Sequence, residues 1–177
     1  MGVIQAAIEV CAGTRSRVQP DVEKQLRETG TYDALVALRG SYVHHYLVFC
    51  RRVMPEATLV SMAASADQAY YSVSIFTYDS PKRRQPYYEL CAWIARTLLR
   101  LVDARLHWGK HFPLDYWDIA RLYPRLAEFR ALCRTVDPAG VLRNGYTARV
   151  LGLPPGAGMS AGTDPNRAQQ KLENGRI

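Results

Sequence analysis

The sequence predicts an α+β fold, an antiparallel sheet with helices on one face. Period-two and β-branched stretches crowd its first half, while three- and four-residue apolar spacing takes over in the second. Its 177 residues suit one ordinary domain, or one domain plus a tail. The composition, 48% hydrophobic and 22% charged, is that of a globular chain and excludes a fully disordered one. No stretch approaches the ~18 consecutive apolar residues of a membrane helix.

Residues 3–10, VIQAAIEV, place Ile4, Ala6, Ile8 and Val10 on one face and are expected as a half-buried strand. Pro20 opens a helical stretch that Gly30 ends, and a short helix is expected from Asp33 to Arg39. Residues 42–49, 58–62 and 69–78 read as strands through their aromatic and β-branched content. From Pro86 to about Arg105, Leu90, Trp93, Ile94, Leu98 and Leu101 fall at helical spacing. Residues 114–135 read as two helices split near Pro124. Asp137-Pro138-Ala139-Gly140 reads as a stop and turn, and 145–151 as a last extended segment. Residues 154–177 have almost nothing to bury and are expected to be a disordered tail.

The net charge is +7. The basic residues are scattered, and the densest run, Lys82-Arg83-Arg84, follows a turn-like Asp79-Ser80-Pro81. No zinc-finger spacing or aromatic RNA-binding motif accompanies them, so solvated surface charge is expected rather than a nucleic-acid site. Cysteines stand at 11, 50, 91 and 133 with no CxxC pair, as reduced, buried thiols would. No metal site is expected. No signal peptide is visible, and the expected location is cytoplasmic.

The densest candidate cluster is His107-Trp108-Gly109-Lys110-His111, in a loop between two helices. Either Trp108 packs inward while its neighbours cap helices, or the lysine and histidine bind an anionic or electron-rich ring. His44 and His45 are expected on opposite faces of a strand, and the Tyr70-Tyr71 and Tyr87-Tyr88 pairs as packing residues. No G-x-S-x-G, P-loop, G-x-G-x-x-G or H-E-x-x-H occurs.

Over 107–151 the sequence runs His107-Trp108-Gly109-Lys110, Leu122-Tyr123-Pro124, Phe129, Asp137-Pro138-x-Gly140 and Arg143-Asn144-Gly145-Tyr146. This order resembles the C-terminal end of the sugar-1,4-lactone oxidases. These flavoenzymes of the vanillyl-alcohol oxidase superfamily include D-arabinono-lactone, L-gulono-lactone and alditol oxidases. Gly2-Val3-Ile4 is similar to the stretch that closes their flavin-binding domain. The resemblance divides the chain into a remnant of that domain (1–10), a substrate or cap-like domain (11–153) and the tail (154–177).

The resemblance implies FAD as cofactor and hydride transfer from a sugar-lactone or polyol hydroxyl. It implies catalytic roles for Lys110 and His107. Gly2, Val3, Ile4, Lys110, Asn144 and Tyr146 would border the cofactor. The family's Glu-x-Arg substrate pair is matched at best by Glu56, with Thr58 where the arginine would stand. The resemblance implies that the rest of the flavin-binding domain lies outside these residues, so FAD would be shared with a missing or separate domain, and self-association is the other expected partnership. Peripheral membrane association follows by family analogy only. The alternative expectation is a catalytically inactive cap-like interaction module or split subunit.

Overall fold

A computed structural model describes residues 1–156. Among these the class is α+β, with seven α-helices and one two-stranded antiparallel sheet. The expected tail lies, from residue 157 onward, outside the described residues. Two compact units are present. Among the described residues the first holds Met1–Glu56 and Ser65–Pro113, the second Ala57–Ala64 and 114–156.

The first unit opens with α1 (Gly2–Cys11), a helix where a strand was expected. Its buried residues are Val3, Ile4, Ala6, Ala7, Val10 and Cys11, a helical stripe that includes the odd positions a strand would expose. The alternation was real in the letters, but the adjacent Ala6 and Ala7 favour helix, and burial follows the 3.6-residue period. α2 (Pro20–Glu28) begins on a proline at the first helical position. α3 (Tyr32–Ala37) is short. Both pack against α1, as does the 18-residue α4 (Gln85–Val102). Leu26, Leu35, Leu90 and Val10 are fully buried where these helices meet.

α4 also holds the turn after α2 by two side chains. Trp93 Nε1 donates to the Thr31 carbonyl at 2.9 Å, and Arg100 donates to the Thr29 carbonyl at 2.7 Å. The sheet pairs β1 (Phe49–Val53) with β2 (Tyr70–Ser74), Arg51 facing Ser72. Residues 42–48 are irregular rather than a strand, and so are 58–62. β-propensity measures the fit of a side chain to a sheet surface, and these segments have no neighbouring strand to supply one. The sheet is correspondingly small and exposed. Cys50 on β1 is exposed, which corrects the expectation of four buried thiols. Cys11 is buried, Cys91 and Cys133 are half-buried, and all four are free. The basic run Lys82–Arg84 sits on a 3₁₀ turn (Pro81–Arg83), where Arg83 pairs with Asp79 and Arg84 Nε donates to the Asp79 carbonyl.

The second unit contains α5 (Tyr116–Leu122), α6 (Leu126–Val136) and α7 (Gly145–Leu151), with α5 packed on α7. Asp115 caps α5 by accepting the Trp117 and Asp118 amides, and Asp118 returns the bond. α7 replaces the expected extended segment. The Asn144 side chain accepts the Thr147 amide at 2.8 Å, the Thr147 hydroxyl accepts the Asn144 amide, and Gly152 at φ 61° ends the helix. No helix among the described residues is long and apolar enough to cross a membrane.

Candidate functional site

The candidate site is built at the exit of α4. Asp103, at φ 50°, leaves the helix in the left-handed region and sends the chain into an irregular stretch that carries His107–Lys110. A tight turn holds this stretch. The Lys110 amide donates to the His107 carbonyl at 3.1 Å, and the Gly109 amide donates to His107 Nδ1 at 3.1 Å. With Nδ1 accepting, the ring proton is assigned to Nε2, which becomes a donor for an outside group. His107 and Lys110 are thus brought together on one turn, both exposed. No ion pair engages Lys110 among the described residues.

The turn is anchored by its aromatic neighbours. Trp108 stacks on Phe112, rings 5.3 Å apart and 11° from parallel, and Phe112 is buried. The two sequence-level alternatives for this cluster are therefore both present in part. Trp108 packs inward, while the lysine and histidine stay outside. His111 lies against Tyr88 of α4 with ring centroids 4.8 Å apart. From Tyr88 the rings continue to Tyr87 at 5.6 Å and on to Tyr42 at 5.8 Å. Tyr42 is also 6.2 Å from His45, whose Nε2 accepts the Tyr78 amide. Tyr78 packs edge-on against Tyr46 at 4.9 Å, and Tyr46 reaches Phe76 and Phe49. No helical or strand period announces this band, because its residues come from several separate segments and three of them, Tyr42, His45 and Tyr46, lie in the irregular stretch 42–48. Of its tyrosines, only the Tyr87-Tyr88 pair is singled out by the sequence, as packing residues.

Electrostatics inside the band favour neutral groups. Burial pushes the Cys91 thiol up to about 11, and burial likewise raises the Tyr87 phenol, which donates to the Ile75 carbonyl at 2.7 Å. Burial and the neighbouring His45 hold His44 below its ordinary value. Both ring nitrogens of His44 are buried without a hydrogen-bond partner among the described residues. His44 and His45 are not on opposite faces of a strand. Both rings lie beside Tyr42, with centroids 6.4 Å from one another.

The other sequence candidates stand on other elements. Glu56 follows β1 and is exposed; its carbonyl accepts the Ser65 amide at 3.2 Å, and no ion pair joins it to Lys110. Gly2, Val3 and Ile4 form the first turn of α1, with Val3 and Ile4 committed to the core rather than to a strand edge. Asn144 and Tyr146 belong to the second unit. Asn144 is the cap of α7, and Tyr146 lies half-buried with Arg149 5.8 Å over its ring.

The Asp137-Pro-x-Gly motif is likewise structural. Asp137 accepts the Val141 and Leu142 amides, and Arg143 donates to its carbonyl and pairs with its carboxylate at 3.6 Å. Gly140 needs its positive φ of 72° to make this loop.

The proteins that this chain resembles are oxidases. A long-chain alcohol oxidase from an uncultured marine euryarchaeote is 38% identical over 151 residues, 85% of this chain and 32% of the relative. The L-gulonolactone oxidase of Bos taurus is 27% identical over 120 residues, 67% of this chain and 26% of the relative. An alditol oxidase from a Streptomyces strain is 45% identical over 49 residues, 28% of this chain and 12% of the relative. A profile of the D-arabinono-1,4-lactone oxidase family matches residues 18–150, and the chain belongs to that family. It spans about a third or less of the length of these relatives. No solved structure matches it.

Proposed function

We propose that this chain is the substrate-side part of an FAD-dependent oxidoreductase acting on a hydroxyl-bearing carbon, completed by a flavin-binding domain. The observation that supports it best is the His107–Lys110 turn, a histidine donor and an unpaired cation presented together, in a chain whose family is one of oxidases. Flavin, when bound, supplies the two-electron acceptor for such an oxidation. The residues present fit one wall of such a site. Lys110 offers a compact cation with no competing ion pair among the described residues, and no Gly-rich phosphate loop is found in the sequence.

In the oxidation the carbinol carbon would give up a hydride to that two-electron acceptor and its hydroxyl a proton to solvent at this exposed turn, leaving a carbonyl. His107 Nε2 holds the hydroxyl oxygen by donating to it. Lys110 stabilises negative charge as it develops on that oxygen. Trp108 and Phe112 hold the backbone that aims both groups, so neither is ordered only when substrate arrives. The family relatives divide between polyhydroxylated compounds and long-chain alcohols, and both classes share the carbinol that this turn would address.

The test is reconstitution. The chain is co-expressed with the flavin-binding domain of an alditol oxidase and purified through a tag on the chain. Flavin absorbance should co-purify and bleach when a hydroxyl substrate is added without oxygen. Lys110→Ala should slow bleaching by about 100-fold or more. Flavin that co-purifies but never bleaches would favour the inactive cap-like module instead.

A further inference from the structure

The segment between Tyr42 and β1 has no ladder to hold it. Residues 43–47 make no backbone–backbone hydrogen bond among the described residues. The segment starts where the Tyr42 amide donates to the Cys11 carbonyl at 3.2 Å, with the buried Tyr42 ring edge-on to Tyr87 of α4. Beyond that point side chains hold it, and two of them are adjacent histidines. His45 Nε2 accepts the Tyr78 amide at 3.3 Å, a bond that only an unprotonated nitrogen can make. His44 is half-buried, and both of its ring nitrogens are closed off from solvent with no hydrogen-bond partner among the described residues.

Both attachments need neutral rings, for different reasons. A proton on His45 Nε2 turns the acceptor into a donor facing another N–H. A proton on His44 puts a cation with two unanswered donors into a closed site. The two ring centroids are 6.4 Å apart and lie 6.1 and 6.2 Å from Tyr42, so two charges there would also repel each other.

The groups around them do not answer that charge. Thr77, Asp79, Tyr87 and Cys91 stand about Tyr42, and Tyr78 lies beyond His45. Burial raises the Tyr42 and Tyr87 phenols and the Cys91 thiol, so all three are neutral in acid. The one carboxylate, Asp79, pairs with Arg83 and makes no ion pair with either histidine among the described residues. The Tyr46 backbone favours a charged His44, but burial and then His45 outweigh it.

We propose that His44 and His45 form an acid-released latch: neutral, they hold residues 42–48 against Tyr42 and Tyr78, and protonated, they free the segment. Release uncovers Tyr87 on α4, beside the Tyr88 that meets His111. The latch does not depend on the hydroxyl-oxidising reading. Its sign follows from where protons bind. The freed segment takes them up at the ordinary imidazole value of about 6.5, and the closed one resists them. The closed form is therefore fully favoured above about pH 7 and loses ground as pH falls through about 6.

The test is amide exchange of the full chain, read residue by residue by NMR at pH 8 and pH 5 and corrected for the intrinsic pH dependence of exchange. Protection of the Tyr42 amide should fall by about tenfold or more at pH 5. The amides of Leu26 and Leu90, buried on α2 and α4, should keep theirs. The Tyr78 amide proton should move upfield over the same range as its acceptor is lost. His44→Phe keeps a ring that cannot charge, and the fall at Tyr42 should shrink to about threefold or less. His45→Gln keeps an acceptor and should abolish the Tyr78 movement.

Unchanged Tyr42 protection in the unsubstituted chain overturns the latch, with no variant needed. So does an equal loss at Leu26 and Leu90, which would be acid unfolding of the whole unit. A Tyr42 loss undiminished in the double variant His44→Phe, His45→Gln places the acid response on other groups and overturns it as well.

Discussion

The His107–Lys110 turn and the Asp137–Tyr146 stretch carry the two densest groups of polar motif residues, and they spend them in opposite ways. In the second, each named polar group serves the fold. Asp137 takes two backbone amides and a guanidinium, and Asn144 caps a helix. In the first, His107 gives only its carbonyl and Nδ1 to the turn, and its Nε2 and the Lys110 ammonium are left over on exposed side chains. A motif residue whose bonding capacity is consumed locally stabilises. One held in place by its neighbours with capacity to spare is available for chemistry.

That contrast can be broken by substitution. The largest effect is expected at Asp137→Ala. The Asp137 and Arg143 side chains are only 9% and 8% exposed, so the variant leaves a buried guanidinium without its carboxylate. A loss of about 3–5 kcal/mol is expected in urea unfolding followed by tryptophan fluorescence. A loss below 1 kcal/mol would show that the loop is not held by this pair.

The first unit has a committed group of its own, but on α4 and not in the turn. The Cys91 thiol is pushed up to about 11 by burial, from an ordinary 9.0. Between those values the unfolded chain has released this proton and the native chain has not. Stability therefore falls as pH rises through that window, by about 2–3 kcal/mol in total for this group. Unfolding titrations at pH 8 and pH 11 should show a shallower fall in Cys91→Ala, and an unchanged slope would remove the thiol from the account.

Asn144→Ala should cost about 1 kcal/mol, the usual worth of an N-cap, with Asn144→Asp close to neutral. Equal losses for both would point to a role other than capping. Lys110→Ala stands at the far end, with stability shifted by no more than about 0.5 kcal/mol in the same unfolding assay. A large destabilisation there would erase the distinction between the two regions.

The helices were legible wherever a boundary residue agreed with the period. Pro20, Pro86 and Pro124 each mark a helix start or break that the structure keeps. The α+β class was legible too, although most of the strands meant to carry it were not. Gly2–Cys11 and Gly145–Leu151 are helices because tertiary burial and a capping box outweigh a short-range alternation of apolar letters. At the candidate site, His107 and Lys110 stood out as part of a dense polar and aromatic cluster, and roles for them came only from the family resemblance. The tyrosine band could not, since it joins residues from 42 to 111 that meet only after folding.

The grip of α4 on the turn after α2 has a consequence for motion. Trp93 and Arg100 hold carbonyls at positions 31 and 29, on residues far away in sequence. Neither carbonyl can be released without disturbing the helix that leads into the His107–Lys110 turn. Amide exchange near Thr31 should therefore track exchange in the last turns of α4, with both opening as one cooperative step. The loop that carries the candidate chemistry is thus tied at its root to the helix that grips the turn after α2.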